Sequence, residues 1–184
     1  HPHRGFETVT YMLEGTFRHR DSFGFSGTLR PGDVQWMTAG AGVVHSELPD
    51  DEIVRRGGRV HGVQLWVNLP AADKWRQPRY QDTPAHWIPE VTGDWGRARI
   101  IAGQALGAEA VIQTRIPILY LHMTLVPGGR VELPLPAEES AFLYLLAGSG
   151  RVEVSGARLE AGQIAVLGEG DSVSPACPTG EERP

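Results

Sequence analysis

The sequence predicts an all-β protein made of two copies of one small barrel. Three observations carry this. Runs of β-branched and aromatic residues are short and closely spaced. The 23 Gly and 14 Pro of the 184 residues supply turns between them, and the two halves of the chain are self-similar.

Taken in order, FETVTYML (residues 6–13) reads as a strand closed by a turn at Glu14-Gly15. TFRHRDSFGFSGTLRPGD follows as further hairpin arms, punctuated by Gly24, Gly27 and Pro31-Gly32. VQWMTAGAGVVHSEL comes next, then a charged loop from Asp50 to Arg56 and the strand VHGVQLWVNL. No stretch up to Leu69 has a helical period. Residues 70–94, rich in Pro, Asp, Trp and Lys, read as an irregular connector with one short helical turn. RARIIAG, VIQTRI, LYLHMTLV, AFLYLLAG, GRVEV and QIAVLG are the later strand candidates.

Overlaying Thr8–Gly15 on Ala141–Gly148 matches Tyr11 with Tyr144, Leu13 with Leu146 and Gly15 with Gly148. Leu29–Trp36 then falls on Leu159–Val166, matching Gly32 with Gly162. The expected organisation is an N-terminal barrel over 1–69, a linker over 70–94 and a C-terminal barrel over 95–184. The abrupt start at His1, without an initiator Met, predicts a piece of a longer protein. Strands would then be missing upstream of the first barrel and downstream of the second.

A net charge of -5 and a pI near 5.8 give no basic footprint for nucleic acid or an anionic membrane. Cys177 is the only cysteine, so no intrachain disulfide can form and the thiol reads as incidental. With no apolar run of membrane-spanning length and no signal-peptide pattern, the expected location is cytoplasmic.

The chemistry is concentrated in two short pairs. His1 and His3 have the i, i+2 spacing that sends both imidazoles to one face of a strand, and His45 and Glu47 in GAGVVHSE repeat it. Three imidazoles and a carboxylate converging on one point would hold an octahedral ion and leave two positions for substrate, water or O2. Fe(II) suits this donor set best, and Mn, Ni, Cu or Zn also fit it. GEGDS (168–172) lacks the Lys-Ser or Lys-Thr of a phosphate loop and reads as a turn.

HPHRGFETVTYMLEG, PGDVQWMTAGAGVVHSE, HGVQLWVNLP and AVLGEGDSV together resemble the pirin family of the cupin superfamily, over nearly the whole chain. The resemblance implies a bicupin, two double-stranded β-helix (jelly-roll) barrels, with His1, His3, His45 and Glu47 binding iron in the first. Under the repeat overlay His1, His3, His45 and Glu47 fall on Pro134, Pro136, Pro175 and Cys177, so the second barrel is expected to be metal-free. Glu7 competes for the carboxylate role, because the general cupin pattern often uses a glutamate after H-x-H and Glu7 has the parity to face inward; the pirin resemblance selects Glu47.

Gln64, an amide in an apolar strand, needs a partner if buried, and lining the metal cavity would supply one. Gln64 and Arg4 are the substrate-binding candidates, Arg4 as a seat for an anionic ligand at the mouth. Trp36, Trp66 and Met37 are expected in the core, and His19, His61, His86 and His122 in structural roles.

The resemblance implies two activities. One is a flavonol (quercetin-type) 2,3-dioxygenase, an oxidoreductase acting on a flavonol-like small molecule and O2. In it Glu47 serves as a ligand or also takes the substrate hydroxyl proton as general base. The other is a metal- and redox-dependent regulatory protein that docks on an enzyme or transcription regulator, without direct contact to DNA.

Overall fold

The computed structural model describes residues 1–148, 152–154 and 157–179. The chain divides into two compact units: residues 1–89, 101–103 and 109–120, and residues 90–100, 104–108 and 121–184. Nearly all the regular structure of the described residues is β-strand, so the fold is all-β.

The first unit is built on two four-stranded antiparallel sheets. Its strands are β1 (Pro2–His3), β2 (Phe6–Glu14), β3 (Phe17–Asp21), β4 (Ser26–Leu29), β5 (Val34–Thr38), β6 (Val43–Pro49), β7 (His61–Asn68) and β8 (Arg79–Thr83). One sheet runs β1-β6-β3-β4 and the other β7-β2-β5-β8. Side chains of the two sheets meet inside the unit: Met37, Ala39 and Val43 form a small apolar cluster there with Tyr80.

The two central strands of the second sheet, β2 and β5, are covered on both faces. Val9, Tyr11, Val34, Trp36 and Val67 pack on the sheet's other face against Ile88, Ile101, Ala102 and Ile112. That is why β2 and β5 are buried almost throughout and lack the polar alternation of a one-sided strand. β6 does alternate, and its inward positions carry His45 and Glu47.

Gly40 makes the turn into β6. Its φ is +50°, and an added Cβ would lie 2.1 Å from the Arg76 carbonyl oxygen, while its own carbonyl accepts the Gly5 N–H at 2.7 Å. Only glycine fits this backbone.

Three local features depart from the sequence reading. The charged loop contains a short helix, α1 (Asp51–Arg56), capped by Asp50, whose carboxylate accepts the Ile53 N–H at 2.9 Å. It buries no residue, so no apolar period announced it; the cap and its end charges hold it. The connector at 70–94 contains β8, an edge strand of polar sequence RYQDT paired with β5. VIQTRI is not a strand; Gln113 instead exchanges hydrogen bonds with the Gln81 side chain, at 3.0 and 2.9 Å.

Many strands of the second unit are only two or three residues long. Leu133–Pro134 pairs with Ser172–Val173, Phe142–Tyr144 with Ile164–Val166, and Val152–Val154 with both Ala157–Leu159 and Pro175–Ala176. Val131, Leu133, Val154, Leu159 and Val173 form its core.

The repeat is visible in main-chain bonds. Gly32 N–H donates to Met12 C=O at 2.8 Å, and Gly162 N–H to Leu145 C=O at 2.7 Å. Met12 N–H donates to Asp33 C=O at 3.1 Å, and Leu145 N–H to Gln163 C=O at 3.0 Å. Both glycines have positive φ, +88° and +85°. Each pair matches under the same sequence overlay. No helix among the described residues is long and apolar enough to cross a membrane.

Candidate metal centre

β1 lies against β6 with His3 opposite Val43, and the His45 N–H donates to the His1 carbonyl at 3.0 Å. The N-terminal ammonium of His1 donates back to the His45 carbonyl at 2.8 Å. This reciprocal pair fixes the two short strands in the register that brings three imidazoles together.

One nitrogen from each of His1, His3 and His45 lies within 4.8 Å of the others. The Nε2 atoms of His1 and His45 are 2.9 Å apart. Two ligands at about 2.1 Å from an ion and at right angles stand about 3.0 Å from each other, so this spacing suits a common metal. His3 Nε2 is buried with no hydrogen-bond partner, an expense that an ion at this point would relieve. The three rings stand near-perpendicular, at 75° to 84°.

Burial lowers the pKa of His3 and His45 from the ordinary value of 6.5, outweighing the opposing pull of the Glu47 carboxylate. Neutral imidazoles are the metal-ligating form. The donor set and its spacing fit a transition-metal ion.

Glu47 stands at the side of this cluster, with Oε2 4.0 Å from His45 Nε2. Gln64 Nε2 lies 3.0 Å from each of its carboxylate oxygens, and the Thr10 hydroxyl donates to Oε1 at 3.2 Å. Gln64 is exposed on the edge strand β7, and its amide is paired with Glu47 beside the imidazole cluster.

Glu7 faces the other way. It shares the face of Val9 and Trp36, is 1% exposed, and accepts a 2.6 Å hydrogen bond from Thr38, its register partner on β5. The inward parity expected for it is wrong because the inner face of β2 carries Thr8 and Thr10. Arg4 sits with its guanidinium 4.0 Å from the centroid of the Trp75 ring, a cation–π contact.

Trp36 and Met37 are in the core as expected, whereas Trp66 is 63% exposed. It follows Gln64 by two residues and so shares its face, and its Nε1–H donates to Gln64 Oε1 at 3.0 Å. His19 is buried inside the unit, its Nε2 3.4 Å from Asp82 Oδ2 and its ring stacked on Tyr80 at 5.5 Å. Sequence reasoning missed Thr10 and Trp66; period-two alternation from Gln64 was the available signal for Trp66, whereas Thr10 is brought to the site by its register opposite Gln64.

Residues 1–67 match the family model described as Pirin. The chain is 43% identical over 176 residues to Pirin of Homo sapiens, an alignment covering 94% of this chain and 59% of that protein. The chain belongs to the pirin family. Another relative is a pirin-like protein of Solanum lycopersicum, 46% identical over 175 residues, covering 95% of this chain and 58% of the relative. Among solved structures, this pirin-family chain superposes on quercetin 2,3-dioxygenase of Acinetobacter baumannii with a TM-score of 0.89 and 40% identity, over 97% of this chain and 63% of that one. It spans about three fifths of the length of the curated relatives it matches.

Proposed function

We propose that this pirin-family chain carries the metal site of a flavonol 2,3-dioxygenase, with His1, His3, His45 and Glu47 as the ligands of Fe(II). The observation that carries the reading is the group of three imidazole nitrogens within 4.8 Å, with the Glu47 carboxylate beside it. The likeness to quercetin 2,3-dioxygenase supports the choice of substrate class. Under the repeat overlay Pro134, Pro136, Pro175 and Cys177 stand where the first barrel has its ligands, which supports a second barrel that binds no metal.

When bound, the ion supplies Lewis acidity and a one-electron couple. The chain's own residues do the rest. Burial favours the neutral form of the His3 and His45 imidazoles, and the β1–β6 pairing holds them beside His1. Beyond its role as ligand, Glu47 serves as the general base for the proton of a substrate hydroxyl, its carboxylate oriented by Gln64 and Thr10. Gln64, at the exposed side of this group, lies where an entering flavonol meets the site.

The test is anaerobic loading with Fe(II), metal analysis, and then O2 uptake and product analysis with quercetin. The expected result is about one iron per chain and consumption of O2 with carbon monoxide release. Metal-loaded protein that consumes no O2 with any flavonol sinks the dioxygenase reading and leaves the metal-dependent regulatory one.

A further inference from the structure

Two tryptophans of the same sheet are treated in opposite ways. Trp36 is 0% exposed, while Trp66 leaves 63% of its surface to water. A large apolar ring gains little stability at such a position. Its orientation is nonetheless fixed by three neighbours. Nε1–H donates to Gln64 at 3.0 Å, the Phe6 ring lies 4.7 Å away at a tilt of 34°, and the His3 ring stands 5.5 Å away at 87°. By strand alternation and register, Phe6, Thr10, Gln64 and Trp66 all belong to one face, the face that holds Glu47. A rigid, wet aromatic surface thus stands one ring away from the imidazole cluster.

We infer that Trp66, backed by Phe6, is a stacking platform that selects flat aromatic ligands bearing adjacent oxygens over aliphatic chelators at the histidine cluster. The inference rests on the metal site proposed above and adds the residue that reads the ligand's ring. Aromatic faces stack at centroid separations of about 4.5–7 Å, and the Trp66 ring stands 5.5 Å from the His3 ring of the cluster. The hydrogen bond to Gln64 means that the platform needs no reordering when a ligand arrives, so little entropy opposes stacking.

Two probes separate the ring from the chelating oxygens: 4-nitrocatechol, aromatic, and acetohydroxamate, which has no ring. Both are titrated anaerobically into Fe(II)-loaded wild type, Trp66→Ala and Trp66→Phe, with iron content measured for each. Trp66→Ala should bind 4-nitrocatechol about three- to tenfold more weakly and Trp66→Phe by a smaller factor, with acetohydroxamate affinity and iron content the same in all three. Should the alanine variant fail to fold, the phenylalanine variant alone gives the comparison. Equal loss of both probes, which would mark Trp66 as a mere support for Gln64, overturns the inference; so does unchanged 4-nitrocatechol affinity, or a wild type that binds neither. A wild type that prefers 4-nitrocatechol yet turns over no flavonol sinks only the dioxygenase reading. Quercetin turnover together with unchanged 4-nitrocatechol affinity in Trp66→Ala sinks only the platform.

Discussion

The side-chain amide of Gln64 lies 3.0 Å from both carboxylate oxygens of Glu47. In the metal site proposed above, a partner that orients the ligand carboxylate in this way contributes about 10–100-fold in metal affinity. Gln64→Ala should therefore weaken Fe(II) binding by about tenfold in a competition titration against a chromophoric chelator, with the far-UV spectrum unchanged. Wild-type affinity in the variant would show that the amide does not position Glu47.

The two glutamates make a paired test. Glu47→Gln should lose most of the bound metal or abolish turnover, while Glu7→Gln, on the opposite face beside Thr38, should retain metal near the wild-type level. Metal analysis of both purified variants decides. Loss of metal in Glu7→Gln with retention in Glu47→Gln would assign the ligand set wrongly.

Gly40 couples the turn to the site. Gly40→Ala places a Cβ into the Arg76 carbonyl at a positive φ, so urea unfolding should show a loss of at least about 2 kcal/mol. Because the turn delivers β6, metal affinity should fall with it. A fully stable variant would mean that the loop from Arg76 yields freely.

His122 supplies a pH dependence in the second unit. Burial, reinforced by Arg99 and Arg97, lowers its pKa below 6.5 in the folded chain. As pH falls through 6.5 the unfolded chain takes up the proton first, so stability is full above 6.5 and declines below it until the depressed folded pKa is reached. Urea midpoints at neutral and mildly acidic pH should differ less in His122→Asn than in wild type. An identical acid decline in both would remove His122 from the account.

Much of this architecture was legible in the residues themselves. The i, i+2 pairs, the turn glycines and the repeat each have a fixed geometric meaning, and Gly32 and Gly162 make equivalent main-chain bonds. What stayed hidden depended on facts outside any local window. Glu7 and Thr8 are equally polar neighbours in a strand buried on both faces, so nothing in FETVTYML says which face looks into the site. Trp66 looked like core because its neighbours are apolar, but β7 is an edge strand and that face is open. The Gln81–Gln113 exchange joins side chain to backbone, a pairing that leaves no periodic trace.

The double-faced burial of β2 and β5 has a consequence for breathing motions. The same two strands present Val9 and Trp36 to the core and Thr8, Thr10 and Met37 to the site side. Between two partner strands and under two layers of side chains, the amides of β2 should exchange with deuterium only through opening of the whole unit. The Thr10 wall then has no private route to expansion. Any accommodation of bulkier ligands must be made by the opposite sheet, and hydrogen exchange in bound and free protein should change there and along the exposed β7, while β2 stays silent.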